Sequence, residues 1–154
     1  EGASNYTDML NDLYERGLEQ VLLIISDGLS GIKDACLKVY PKANHQTCWV
    51  HVQRNIEKLV RSKDRKEIMD SVKPLYGSRN IKEALLEFDK LKIAIGSKYP
   101  KVITLLENNE SLFSFYNFPQ SIRRSIYTTN LVEGLNKQLK RQQKRKSSFQ
   151  MKLR

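Results

Sequence analysis

Val21-Leu22-Leu23-Ile24-Ile25-Ser26-Asp27-Gly28 reads as a strand running straight into a tight turn. Five apolar residues stand without a break, three of them β-branched, and Ser26-Asp27-Gly28 supplies turn chemistry directly after them. An unbroken apolar run predicts burial on both faces, the habit of a parallel strand. On its amino side, Tyr6, Met9, Leu10 and Leu13 space as a helix over residues 5–16, ended by Gly17. On its carboxyl side, Ile32, Ala35, Cys36 and Val39 share one face of a helix over 29–40, stopped by Pro41. Residues 45–50 (HQTCWV) read as a second short strand and 52–60 as another helix. Strand, helix, strand, helix is the pattern of a parallel α/β unit.

Beyond residue 62 the character changes. Residues 63–76, 80–95 and 99–107 all read as helices, and Asn80 with Glu83 has capping-box spacing at the start of the second. Phe113, Phe115, Tyr116 and Phe118 cluster before Pro119, and a last helix begins near Asn130. An all-helical insertion therefore interrupts the α/β core, which divides the chain into 1–62, 63–118 and 119–154. A strand buried on both faces needs a neighbour on each side, and two strands make a poor central sheet. Further strands before residue 1 are the expectation, and with them a truncated core.

The net charge is +10, and eight basic residues crowd into residues 136–154 with no acid among them, leaving the other 135 residues at about +2. A basic block beside a helix points to a polyanion, most simply nucleic acid, or else to a solvated tail. The longest apolar run has five residues, so no membrane partner is expected, and the first residues lack signal-peptide character. A cytoplasmic location is the default. Two cysteines make no disulfide framework. Glycine-rich phosphate loops, G-x-S-x-G elbows and H-E-x-x-H motifs are missing, which argues against the common nucleotide hydrolases, serine hydrolases and zinc proteases.

Asp27 ends the first strand, at the sheet edge where ligands and metals collect in open α/β folds. There it is either a ligand for a hard cation or the cap of the following helix. Glu133 has two readings as well. It is the third position of a capping box begun by Asn130, or it is a lone acid on a face shared with Asn136, Lys137, Lys140 and Lys144, opposite a stripe of Leu131, Leu135 and Leu139. Cys48 and His51 form a C-x-x-H pair with Cys36 and His45 nearby. Their spacing is not that of a zinc finger or ribbon, so a buried cysteine beside a hydrogen-bonded histidine is preferred to a zinc site.

The ordered set Ile25-Ser26-Asp27-Gly28-Leu29-Ser30-Gly31-Ile32, Tyr40-Pro41-Lys42-Ala43, His45 to His51, Lys63-Asp64-Arg65-Lys66, Phe118-Pro119, Ile122-Arg123-Arg124, Ile126 to Asn130 and Glu133-Gly134-Leu135-Asn136 resembles the central block of Mutator-type transposases of bacterial insertion sequences. The resemblance covers nearly the whole chain and fades after Asn136. It implies a ribonuclease-H-like fold of the DDE class, here a partial core, with a helical insertion before the last catalytic acid. By this match Asp27 is the second catalytic aspartate and Glu133 the catalytic glutamate, both metal ligands. The first aspartate would lie upstream of Glu1. The implied activity is metal-dependent DNA strand cleavage and strand transfer, with two Mg2+ or Mn2+ ions in the intact enzyme and little catalysis from this chain alone. Asn136, Lys137, Lys140, Arg141 and Lys144 would contact DNA, and Cys48 and His51 match the family's C-x-x-H signature. Implied partners are the element's terminal inverted repeats, target DNA and further copies of the protein, at the bacterial nucleoid. The alternative is a non-catalytic, DNA-binding remnant.

Overall fold

The computed structural model describes residues 3–29, 31–128 and 133–141. It opens with α1 (Ala3–Glu15), β1 (Leu23–Ser26), α2 (Ile32–Val39), β2 (Asn44–Thr47) and α3 (Trp49–Leu59). Then follow α4 (Arg65–Gly77), α5 (Ile81–Ile95), α6 (Pro100–Glu107) and α7 (Gln120–Ile126), and residues 133–141 are again helical. No helix among the described residues is long and apolar enough to cross a membrane.

The alternation of strand and helix is present, and β1 and β2 pair in parallel from Leu23–Asn44 to Ser26–Thr47. Burial of β1 on both faces is not what the structure has. Its apolar residues are only half-buried, Leu22 just before it is 77% exposed, and among the described residues β2 is its sole neighbour. A paired strand satisfies one edge only, and the faces depend on packed helices, so among the described residues β1 has one open edge and incompletely covered faces.

The second strand is shorter than its sequence implied. It stops at Thr47, and Trp49-Val50 belong to α3, with Cys48 extended at the N-cap. The reason is packing. Trp49, Val52 and Ile56 stand three and four residues apart, line one helical face, and are at most 5% exposed against the helical block. Burying such side chains outweighs the strand preference of Trp and Val.

Two cores result. The larger takes side chains from α3, α4, α5, α6 and the aromatic segment around Phe115, and the smaller gathers Leu10, Ala35, Cys36, Tyr40 and Ala43 between α1 and α2. The helices over 63–107 are as expected, and so is the capping box: Asn80 accepts from the Glu83 amide at 3.0 Å. The Glu83 carboxylate reaches back one residue further than anticipated, to the Arg79 amide. Gln46 ties β2 to the larger core. Its fully buried amide donates to the Thr47 and Leu112 carbonyls and accepts from the Phe115 amide.

Candidate active site

The ladder between the strands ends where Cys48 N donates to Ser26 O at 2.7 Å, and Asp27 follows at once. Gly28 turns the chain with φ +82, a conformation that favours glycine, and a Cβ there would stand 3.3 Å from the Thr47 methyl. Asp27 Oδ1 accepts from Leu29 N at 3.3 Å, closing an Asx turn. Asp27 is therefore not the cap of α2, whose N-cap is Gly31 without a side-chain hydrogen bond. Its carboxylate is half-buried, at the carboxyl end of β1.

Two groups brace this turn. Ser26 Oγ accepts from Gly28 N at 3.3 Å and hydrogen-bonds His45 Nε2 at 2.9 Å. Burial, and then the nearby Lys33 ammonium, hold His45 below the usual histidine range, which favours the neutral ring that Ser26 Oγ meets at Nε2. That leaves Nδ1 buried, with no hydrogen-bond partner among the described residues.

Beside the turn lies a crevice of about 420 Å³ lined by Gly28, Leu29, Lys33, His45, Asn109 and Glu110, among others. Lys33 and Glu110 pair across it at 2.5 Å, and the ammonium holds the Glu110 carboxyl below its ordinary range. Thr47 Oγ1 donates to Asn109 Oδ1, and Thr47 N to Ser111 O, which ties this wall to the end of β2. Sequence reasoning singled out neither Lys33 nor Glu110. Their contact spans 77 positions, and no local pattern carries it.

The end of α7 docks at the same place. Tyr127 O accepts from Trp49 N at 3.0 Å, one residue beyond the Cys48–Ser26 contact. Glu133 is half-exposed at the start of the helical residues 133–141, on which Asn136, Lys137, Lys140 and Arg141 are exposed. Leu135 and Leu139, two members of the leucine stripe, are 56% and 53% exposed. Lys144, Asn130 and Leu131 lie outside the described residues, so the Asn130–Glu133 capping box does too.

Cys48 and His51 occupy the first turn of α3, where the Cys48 carbonyl accepts from the His51 amide at 3.1 Å. Cys36 is buried in the smaller core, and burial pushes its thiol up. No three acid, histidine or cysteine side chains stand together as a metal site among the described residues. The chemistry on offer at the Asp27 turn is thus one carboxylate in an Asx turn, beside a polar crevice.

Residues 1–152 match the family model described as transposase, Mutator family. The chain is 37% identical to the transposase for insertion sequence element IS905 of Lactococcus lactis, over 97% of its length and 38% of the relative's. It is 41% identical to the transposase for insertion sequence element IS1201 of Lactobacillus helveticus, over 97% of its length and 41% of the relative's. A transposase for element ISRM3 of Rhizobium meliloti is 33% identical over 97% of the chain. The chain thus spans about two fifths of the length of these curated relatives.

Proposed function

The chain belongs to the Mutator family of transposases, and from that we propose that it carries part of a DDE site for DNA strand cleavage and strand transfer, with Asp27 and Glu133 as its two acids. One observation carries the reading. Asp27 follows Ser26, Ser26 is bonded to Cys48, and the next residue, Trp49, is bonded to Tyr127. Glu133 is six residues on from Tyr127, and six residues span at most about 20 Å, a length that allows Glu133 to approach the Asp27 turn.

The donor chemistry fits a hard divalent cation. Asp27 and Glu133 offer carboxylate oxygens, which Mg2+ and Mn2+ prefer, and His45 is already engaged by Ser26. When bound, such ions supply charge stabilisation to the attacking and leaving oxygens of phosphoryl transfer. The chain's own residues do the rest. The Ser26–His45 bond and the Asx turn would orient the Asp27 carboxylate, and the exposed Lys137, Lys140 and Arg141 would position phosphates without reading sequence. Residues 1–62 and 119–154 would form the ribonuclease-H-like portion and 63–118 its helical insertion. Duplex DNA and further copies of the protein are the proposed partners of the whole transposase. With two acids of the three, this chain by itself should cleave DNA poorly.

The test is paramagnetic. Mn2+ added to the labelled 154-residue chain should broaden the resonances of residues around Asp27 and Glu133 together. Either Asp27→Asn or Glu133→Gln should weaken the broadening at both places. Broadening at one acid alone, or none that these substitutions alter, rejects the shared site.

A further inference from the structure

The basic tail is not the chain's only concentration of positive charge. Where α3 leaves the helical block and α6 enters it, Arg61, Lys98 and Lys101 line one concavity of about 290 Å³ floored by Leu59, Pro100 and Val102. Two acids stand here: Glu67, in the first turn of α4 and exposed, adds to the field at Lys98, while Asp64 closes the turn over Ser62–Asp64 and is only 9% exposed. Its carboxylate accepts from the Tyr99 hydroxyl and pairs with Lys98 at 3.0 Å. These contacts clamp the turn against the start of α6, and they hold the acid charged, Tyr99 contributing most and Lys98 next. Asp64 is thus turned inward and neutralised by Lys98. Arg61, Lys63 and Lys101 remain exposed, and none of them joins an ion pair among the described residues.

We propose that this junction is a second DNA-backbone surface, in which Arg61, Lys63 and Lys101 contact phosphates on the helical block while residues 133–141 contact them elsewhere. Charge complementarity selects the partner. Duplex DNA presents one negative charge per roughly 1.7 Å of its axis, and exposed cations gathered from the Ser62–Asp64 turn and the start of α6 complement that charge. Asp64 pairs with Lys98 and leaves Arg61, Lys63 and Lys101 exposed to solvent. No groove-reading residue is implied, so the contact is sequence-independent. The inference rests on DNA being this chain's partner, not on Asp27 and Glu133 forming a metal site.

The experiment follows binding of the 154-residue chain to a short duplex of arbitrary sequence, by fluorescence anisotropy across a salt series. Arg61→Gln, Lys63→Gln and Lys101→Gln are combined, leaving Lys98 to hold Asp64. Each phosphate that is no longer neutralised should reduce the slope of log affinity against log salt by about 0.9, so the triple variant's slope should fall by about two to three. Lys137→Gln, Lys140→Gln and Arg141→Gln together should bring their own reduction, and the two sets should add. A triple variant with unchanged affinity and slope overturns the proposal, as does a wild-type chain that does not bind. Weaker binding at an unchanged slope would reflect damaged folding and also overturns it. Mn2+ broadening measured on the same variant stands or falls separately, so failure of one reading does not mask failure of the other.

Discussion

Asp27 shows how a residue can be read correctly in place and incompletely in role. Its position after an apolar run and before a helix is plain in the sequence, and capping is a fair expectation there. Gly28 changes the outcome. By taking a positive φ it folds the chain back, so that Asp27 satisfies the Leu29 amide and not the first turn of α2. His45 is invisible as a partner in the sequence because the hydrogen bond to Ser26 links residues 19 apart, across the strand pairing. It also yields a pH prediction. In the unfolded chain His45 takes up a proton near its ordinary pKa of about 6.5, whereas the folded chain resists it to lower pH. Between those values the unfolded state binds more protons, so stability falls as pH drops below about 6.5. Thermal melts should show a lower Tm at pH 5 than at pH 7, and His45→Gln, which keeps a hydrogen-bonding head but cannot titrate, should flatten that difference. The same pH dependence in both proteins would remove His45 as the cause. Glu110 and Asp64, held below the ordinary carboxylate range, lose their contributions only at lower pH, outside this window.

At the scale of elements, the long helices are legible because their signals are local. Asn80 caps α5, and Ala84, Phe88, Leu91 and Ile95 repeat at helical spacing on its buried side. The second strand comes out too long when HQTCWV is read for composition. The spacing of Trp49, Val52 and Ile56 marks a helical face, and is the better signal. What no spacing could reveal is the joint between β2 and the loop near residue 112. There Gln46, with no exposed surface, satisfies Leu112 O and the Phe115 amide, 66 and 69 positions away. Gln46→Leu keeps the bulk but strips the Phe115 amide of its acceptor inside the core. A buried donor left unpaired costs about 1–3 kcal/mol, and more than one group is affected. We expect Gln46→Leu to lose about 2–4 kcal/mol in urea denaturation. Asn80→Ala, which removes an exposed cap, should lose about 1 kcal/mol. Equal losses would mean that Gln46 is not the joint between the two layers.

Across the whole molecule, the two cores differ in size and in completeness. The helical block closes on itself: Trp49, Ile56, Val72, Leu75, Val102, Leu112 and Phe115 are each at most 1% exposed. The α/β part is bounded by a half-buried strand with Leu22 and Leu29 exposed beside it, and by a small cluster between α1 and α2. That imbalance explains why the α/β pattern can be read while the sheet cannot. The order of elements is written locally, but the number of neighbours a strand has is not. It also sets the order in which the molecule opens. Local opening follows buried apolar contact, so α1 and α2 should open at lower free energy than α4, α5 and α6. Native-state amide exchange under mild urea should show protection falling first in α1 and α2, while α4 to α6 stay protected up to global unfolding. The joint at Gln46 should make α3 follow the helical block, since Trp49, Val52 and Ile56 pack into it and the Trp49 indole donates to Leu112 O. If α1, α2 and α4 to α6 instead exchanged in a single step, the cores would be one cooperative unit. In that case the small cluster around Cys36 would be stabilised by the helical block through β2, and Gln46→Leu should then weaken protection in α1 and α2 as much as in α6.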